Sequence, residues 1–319
     1  FEIDWLGGYW KLPRDAVPPP DAADTLEGLH HRIVSSFNSV DKRTAEVPQE
    51  HLDEIYAALT PALPHIFHTG AFGVAMIQNM YKLPDPLFCA FALSRVAAAM
   101  RADDMNKATG LFDVARRMVP APDSYDERDL AERSVLSYIQ RNAAVCSLMK
   151  SKWDQASVGF TASLQSLPTN ATSSYLLGTC HMELGMHDDA IQCMLRSITL
   201  DPDFKSPYVA LGNIYLTTRK FESAIEAGVG CLMRNPDAPI AQFIIGQSVY
   251  HMAFSPRSQA AALQMREKAV AALRIARERV PDQWSEGDEK MLGFLAGEEA
   301  ASDCDELPVH TWRFVGYRP

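Results

Sequence analysis

Apolar residues recur at intervals of three and four over most of the chain, which is the spacing of one face of an α-helix. The arrangement has a period of 34 residues, marked by a glycine in each of three helices: Gly178, Gly212 and Gly246. A fixed period of this length is typical of stacked helical repeats. The pattern predicts four helix pairs, over residues 137–170, 171–204, 205–238 and 239–283, the last with an 11-residue insertion.

The second of these repeats shows why the pattern forms a helix pair. Gly178 has no side chain, so a partner helix can approach closely, and Ala190 is the small residue expected to face it. Gly185 marks the turn between the helices, and Asp188 is expected to cap the second one. A proline then ends the second helix, because the residue before a proline disfavours the helical conformation.

These residues resemble the tetratricopeptide repeat (TPR) family, with Leu-Gly in the first helix, an alanine in the second and a proline at the end. The resemblance is strongest over residues 171–238 and extends over 137–282. It implies an all-α fold, a TPR-like α-solenoid in which antiparallel helix pairs stack into a right-handed superhelix. The first helices of the pairs would line its concave groove.

The pattern outside the repeats predicts helices with extended arms at both ends. Helices are predicted over residues 87–100, 105–118 and 287–300, and a charged insertion over 121–133. The predicted organisation has four regions: an aromatic and proline-rich arm with a first helix at 1–47, degenerate helical repeats at 48–136, TPR-like repeats at 137–282, and a capping helix with a tail at 283–319. A stack of repeats needs such a cap to cover its last apolar face.

Helix geometry also predicts which residues face the groove. If Leu177, Gly178 and His181 pack inward, the opposite face of that helix is free, and the same holds for its neighbours. The predicted protein-binding groove comprises Arg141, Tyr175, Thr179, Glu183, Val209, Asn213, Thr217, Phe243, Gln247 and Tyr250. Only Arg141 and Asn213 resemble the Lys, Arg and Asn clamp with which TPR cochaperones hold a carboxylate, so this groove is not expected to bind a chaperone tail.

Aromatic residues are concentrated in the two arms. The predicted anchors are Trp5, Tyr9, Trp10, Trp312, Phe314 and Tyr317. Two interpretations stay open: the arms fold back along the protein's own helices, or they bind neighbouring subunits, where Trp and Tyr dominate binding energy.

Charge and composition exclude several functions. The net charge is −10 and the pI is near 5.4, so a nucleic-acid footprint is not expected. Nine acids and one base lie within residues 282–306, which favours a solvated cap, with the binding of a basic partner as the alternative. No convergent set of metal ligands, phosphate loop, catalytic signature or membrane span is recognisable, so we expect no enzyme activity, cofactor or metal.

The leading hypothesis is a non-catalytic scaffold, an accessory or assembly subunit that contacts several subunits of one complex. The alternatives are a transient peptide-binding TPR adaptor or cochaperone, and an enzyme regulator. Six cysteines without paired spacing predict reduced thiols in an intracellular protein. The sequence begins at Phe1, so either it is a fragment or an N-terminal segment was removed. Removal would fit an imported organellar protein, with the mitochondrion favoured over the plastid, the cytoplasm or the cilium.

Overall fold

The computed structural model describes residues 85–101, 105–119, 130–297 and 307–311. Within these ranges every regular element is helical, comprising eleven α-helices and one short 3₁₀ helix. The helices pack in consecutive pairs, which confirms the prediction of an all-α fold built from TPR-like helix pairs. The chain divides into two compact units, residues 1–180 and residues 181–319, each considered by itself below.

The described part of the first unit contains four complete helices and most of a fifth. These are α1 (Asp85–Met100), α2 (Met105–Met118), α3 (Leu130–Met149), α4 (Trp153–Ser166) and α5 (Ala171–Glu183). The helices predicted over 87–100 and 105–118 are confirmed, the first beginning two residues earlier. The charged insertion predicted over 121–133 is only partly correct, because its last four residues already belong to α3.

Helices α3 and α4 form an antiparallel pair with a close approach and a polar seam. A Cβ atom on Gly159 would lie 2.6 Å from the Cβ of Ala144, so glycine is needed where the two helices meet. Further along, the Ser137 and Ser163 hydroxyls are 2.7 Å apart, and both are fully buried. Ser163 Oγ also lies 2.8 Å from Ser173 Oγ, which joins α5 to the pair.

The second unit contains the rest of α5 and six further α-helices. These are α6 (His187–Leu200), α7 (Ser206–Thr217), α8 (Phe221–Leu232), α9 (Pro239–Ala253), α10 (Gln259–Arg279) and α11 (Glu286–Ala296), with the 3₁₀ turn Pro281–Gln283 before the last. Helices α7 and α8 form one pair, α9 and α10 the next, and α11 packs on α10. The predicted insertion lies in the turn after α9 and in α10, which is 21 residues long.

The start of α6 differs from the prediction. Asp188 does not cap this helix: Met186 is the N-cap residue, it makes no side-chain cap hydrogen bond, and Asp188 lies in the first turn. An acid in the first turn still interacts favourably with the positive end of the helix dipole.

Helix α11 packs its apolar side chains into the core of the second unit. Its Met291, Leu292 and Leu295 side chains are buried in the core that α9 and α10 share. It begins at Glu286, one residue before the predicted start, and ends at Ala296. The C-cap residue Gly297 follows, and its φ of +78° is the left-handed conformation that favours glycine at a helix end. Residues 298–300 of the predicted helix lie outside the described residues.

Candidate functional site

The predicted groove residues of the first unit lie on α3 and α5 and are mostly covered. The Arg141 guanidinium lies 5.4 Å from the centre of the Tyr138 ring, a cation–π distance. Tyr175 is buried, and the half-buried Thr179 donates its hydroxyl to the Tyr175 carbonyl one turn earlier at 3.1 Å. As a binding surface these residues stay a prediction.

In the second unit, the predicted groove residues on α5 and α7 are more open. Glu183 and Thr217 are exposed, Asn213 is half-buried, and Val209 is buried. The Thr217 hydroxyl donates to the Asn213 carbonyl at 3.1 Å, so it is held against its own helix. Their role in binding likewise stays a prediction.

The three predicted groove residues on α9 are completely covered. Phe243, Gln247 and Tyr250 follow the four- and three-residue spacing of one helical face, and their exposed fractions are 0%, 1% and 1%. What lies against this face is the C-terminal segment 307–311, which has no regular secondary structure. This part of the C-terminal arm therefore folds back onto the protein's own helices.

The segment 307–311 contacts α9 through its main chain and its side chains. The Leu307 amide donates to the Tyr250 hydroxyl at 3.2 Å. The His310 Nδ1 atom lies 3.0 Å from the Gln247 amide nitrogen, and the His310 ring lies 5.3 Å from the Phe243 ring. The α9 face thus holds an extended peptide segment.

Asp288 of α11 holds the same segment from the other side. Its side chain is fully buried, and its Oδ2 atom accepts from the Ser285 amide and from the Ser285 hydroxyl, each at 2.8 Å. Ser285 in turn accepts from the Asp288 amide, which completes a reciprocal cap at the start of α11. The other carboxylate oxygen, Oδ1, lies 2.9 Å from His310 Nε2.

The contact between Asp288 and His310 shifts both pKa values toward the charged forms. The Asp288 carboxylate raises the pKa of His310 above its ordinary value, although burial opposes this shift. Burial alone would raise the pKa of Asp288, but the contacts with His310 and Ser285 outweigh it and lower that pKa. The arrangement therefore favours a carboxylate facing an imidazolium.

A small cavity of about 190 Å³ lies beneath the segment. Its walls include Gln247, Tyr250 and His251 of α9 and Met291 of α11, and residues of 307–311 cover it. His251 is buried and stacks on Phe221 with ring centres 5.2 Å apart. The cavity is therefore lined by groups that can bond to a peptide as well as by apolar ones.

Sequence reasoning did not single out Asp288 or His310. Asp288 belongs to the acidic stretch that is predicted to be solvated, yet it is fully buried. The usable signal was Ser285 followed three residues later by an acid, a spacing typical of a helix cap. The predicted arm anchors Trp5, Tyr9, Trp10, Trp312, Phe314 and Tyr317 lie outside the described residues.

The described residues offer neither a metal site nor a membrane span. Among the residues that the structure describes, no group of His, Cys, Asp and Glu side chains could hold a metal ion. No helix within the described ranges is long and apolar enough to cross a membrane.

Comparison with known proteins gives one family match and several structural likenesses. Residues 171–204 match the family model for the tetratricopeptide repeat. Similar solved structures include YrrB, described as a TPR protein with an unusual peptide-binding site (19% identity, 72% of this chain and 99% of that chain, TM-score 0.46), and MamA (17% identity, 58% and 94%, TM-score 0.45). A search of curated proteins gives no match.

The consecutive helix pairs define a helical-repeat protein, and this class serves as an interaction scaffold. The family match identifies residues 171–204 as a tetratricopeptide repeat, which supports assigning the chain to that family.

Proposed function

We propose that this protein is a non-catalytic interaction scaffold that serves as an accessory or assembly subunit of a larger complex. One observation carries the proposal: the α9 face seats an extended peptide segment, residues 307–311, through main-chain and side-chain contacts. A face that binds one such segment has the chemistry to bind a segment of a partner. The open groove residues on α5 and α7 would extend the contact.

The proposal is tested by native fractionation of source cells, with mitochondria collected as a separate fraction. We expect the full chain to migrate far above its own 35.4 kDa with a constant set of proteins in fixed ratio. Migration as a free monomer would overturn the subunit proposal.

A matched pair of variants locates the surface. Thr217→Arg places a bulky charge on the exposed predicted groove face of α7 and should remove the co-migrating proteins. Thr199→Arg is the control, because Thr199 is also exposed and also donates to the carbonyl one turn earlier, but lies on a second helix, α6. Equal loss with both variants, or with neither, would exclude this groove as the contact.

A transient peptide adaptor is the second candidate. It is favoured by the shallow seating of the segment 307–311, in which Pro308 and Thr311 are exposed and the other three residues half-buried. An adaptor would co-purify with an exchangeable set of proteins, and these would dissociate on dilution.

A further inference from the structure

The segment 307–311 and the face beneath it have complementary chemistry. We infer that the cleft between α9 and α11 is a peptide-binding site for an extended segment in which an aliphatic residue precedes a histidine by three positions. Residues 307–311 occupy this cleft as an intramolecular ligand that a partner segment of the same chemistry displaces. Only the displacement by a partner segment rests on the proposed function; the ligand class follows from the cleft itself.

The buried Asp288 carboxylate sets the polar requirement of the cleft. Both Ser285 donors bind its Oδ2 atom, whereas Oδ1 faces only the His310 imidazole among the contacts of the described residues. A fully buried carboxylate oxygen that loses its partner keeps the whole cost of its desolvation. The cleft therefore strongly favours a ligand that brings a positively charged or donating group to this oxygen.

Gln247 favours a histidine over a lysine at this position. A histidine has two ring nitrogens on opposite edges, so it can face Asp288 with Nε2 and Gln247 with Nδ1 at the same time. A lysine has one nitrogen and cannot span both groups. Among the described residues, Gln247 Oε1 has no hydrogen-bond partner, so rotation of the amide would present an acceptor to Nδ1 when the ring is protonated.

The aliphatic requirement comes from the other end of the segment. The Leu307 and Val309 side chains pack against the apolar core that α9, α10 and α11 share. The Tyr250 hydroxyl accepts from the Leu307 amide, which fixes the direction of the segment on the face. The ligand motif is thus Leu-x-Val-His, with one main-chain contact at its start.

Charge makes the occupancy depend on pH. Among the described residues, Asp288 of α11 faces His310, and Gln247, Tyr250 and His251 of α9 line the same cavity as His310. The docked pKa of His310 is raised by Asp288, so docking is strongest below the free pKa of histidine and weakens as the pH rises through the docked value. At the acid end, docking is lost as the pH falls through the lowered pKa of Asp288.

The test uses the full chain, the His310→Ala variant and a labelled peptide with the sequence of residues 306–311, followed by fluorescence anisotropy. We expect the variant to bind the peptide about tenfold more tightly than the wild type, because the intramolecular ligand no longer competes. A peptide with alanine in place of histidine should not bind. Binding should be weaker at about pH 8.5 than at about pH 6, on either side of the free histidine pKa of about 6.5.

Two further variants separate recognition from folding. Thr199→Ala changes an exposed threonine of α6, outside the cleft, and should leave peptide binding at the wild-type level. Gln247→Leu in the His310→Ala background should weaken peptide binding while the circular dichroism spectrum stays unchanged.

Three results would overturn the inference. They are equal peptide binding by the wild type and His310→Ala, equal binding of the histidine and alanine peptides, and a concentration-dependent dimer of the wild type that His310→Ala abolishes. The last would assign the segment to a second copy of the chain. Because none of these measurements needs a cellular partner, failure here is distinct from failure to find a complex in cells.

Discussion

In the first unit, helices α3, α4 and α5 meet around hydroxyl groups, whereas helices α9, α10 and α11 of the second unit meet around aromatic and aliphatic side chains. Ser163 alone links two neighbouring hydroxyls, those of Ser137 and Ser173. In the second unit, the Tyr250, Phe254 and Phe294 rings are mutually 5.0–5.3 Å apart. Helices of the same repeat pattern thus pack through polar contacts in one unit and through apolar contacts in the other.

The difference teaches what each interface tolerates. An apolar interface loses stability in proportion to the volume removed, because a cavity remains. A buried hydroxyl network responds instead to the loss of one member, since the remaining members lose hydrogen bonds that water cannot replace. The stability of the first unit should therefore fall when a single hydroxyl group is removed. The stability of the second unit should fall most when a large apolar side chain is truncated.

The largest effect is expected for Leu273→Ala in the second unit. Leu273 is fully buried on α10, and truncation of such a leucine costs about 2–5 kcal/mol. Native-state hydrogen exchange should show the loss in α9 and α10.

A second substitution tests the origin of this cost. A Cβ on Gly246 would lie 2.3 Å from Leu273 Cγ, so Gly246→Ala alone should destabilise by about 1–3 kcal/mol through overpacking. When Gly246→Ala is combined with Leu273→Ala, the new methyl group has room. The double variant should therefore lose less unfolding free energy than the two single variants lose in sum. Simple additivity would refute the packing explanation.

The next effect is expected for Ser163→Ala in the first unit. The change removes one oxygen atom, but it deprives the Ser137 and Ser173 hydroxyls of a partner inside the core. The expected loss is about 1–3 kcal/mol, measured by hydrogen exchange in α3 and α4.

The matched comparison is the triple variant in which Ser137, Ser163 and Ser173 are all alanine. Removing all three hydroxyls leaves fewer unpaired groups, so its loss should be smaller than the sum of the three single losses. A triple loss equal to that sum would mean that the hydroxyls act independently.

The sequence predicts the helix pairs better than it predicts the position of the segment 307–311. The helix pairs follow from residues at fixed spacing, so Met105–Met118 and the burial of Met291 and Leu295 could be predicted. The covering of Gln247 by His310 could not, because the two residues are 63 positions apart and the segment 307–311 has no periodicity. Helix periodicity reports which face is apolar, and it carries no information about which distant segment lies on it.

The smallest effects are expected at two glycines where an added side chain would meet no packing neighbour. Neither Gly110 in α2 nor Gly185 in the turn before α6 would bring an added Cβ within 4 Å of another group. They differ in backbone conformation, since Gly185 has a φ of +76° and Gly110 lies inside a helix. Gly185→Ala should cost about 1 kcal/mol because an L side chain is strained there.

Gly110→Ala should instead stabilise the first unit by about 0.5–1 kcal/mol, because alanine loses less backbone entropy when a helix forms. Opposite shifts in the thermal midpoint are therefore expected from the same chemical change. If both substitutions destabilised the protein, the space around Gly110 would have to be filled by a neighbour, and the contrast between the two sites would then be one of packing rather than of backbone conformation.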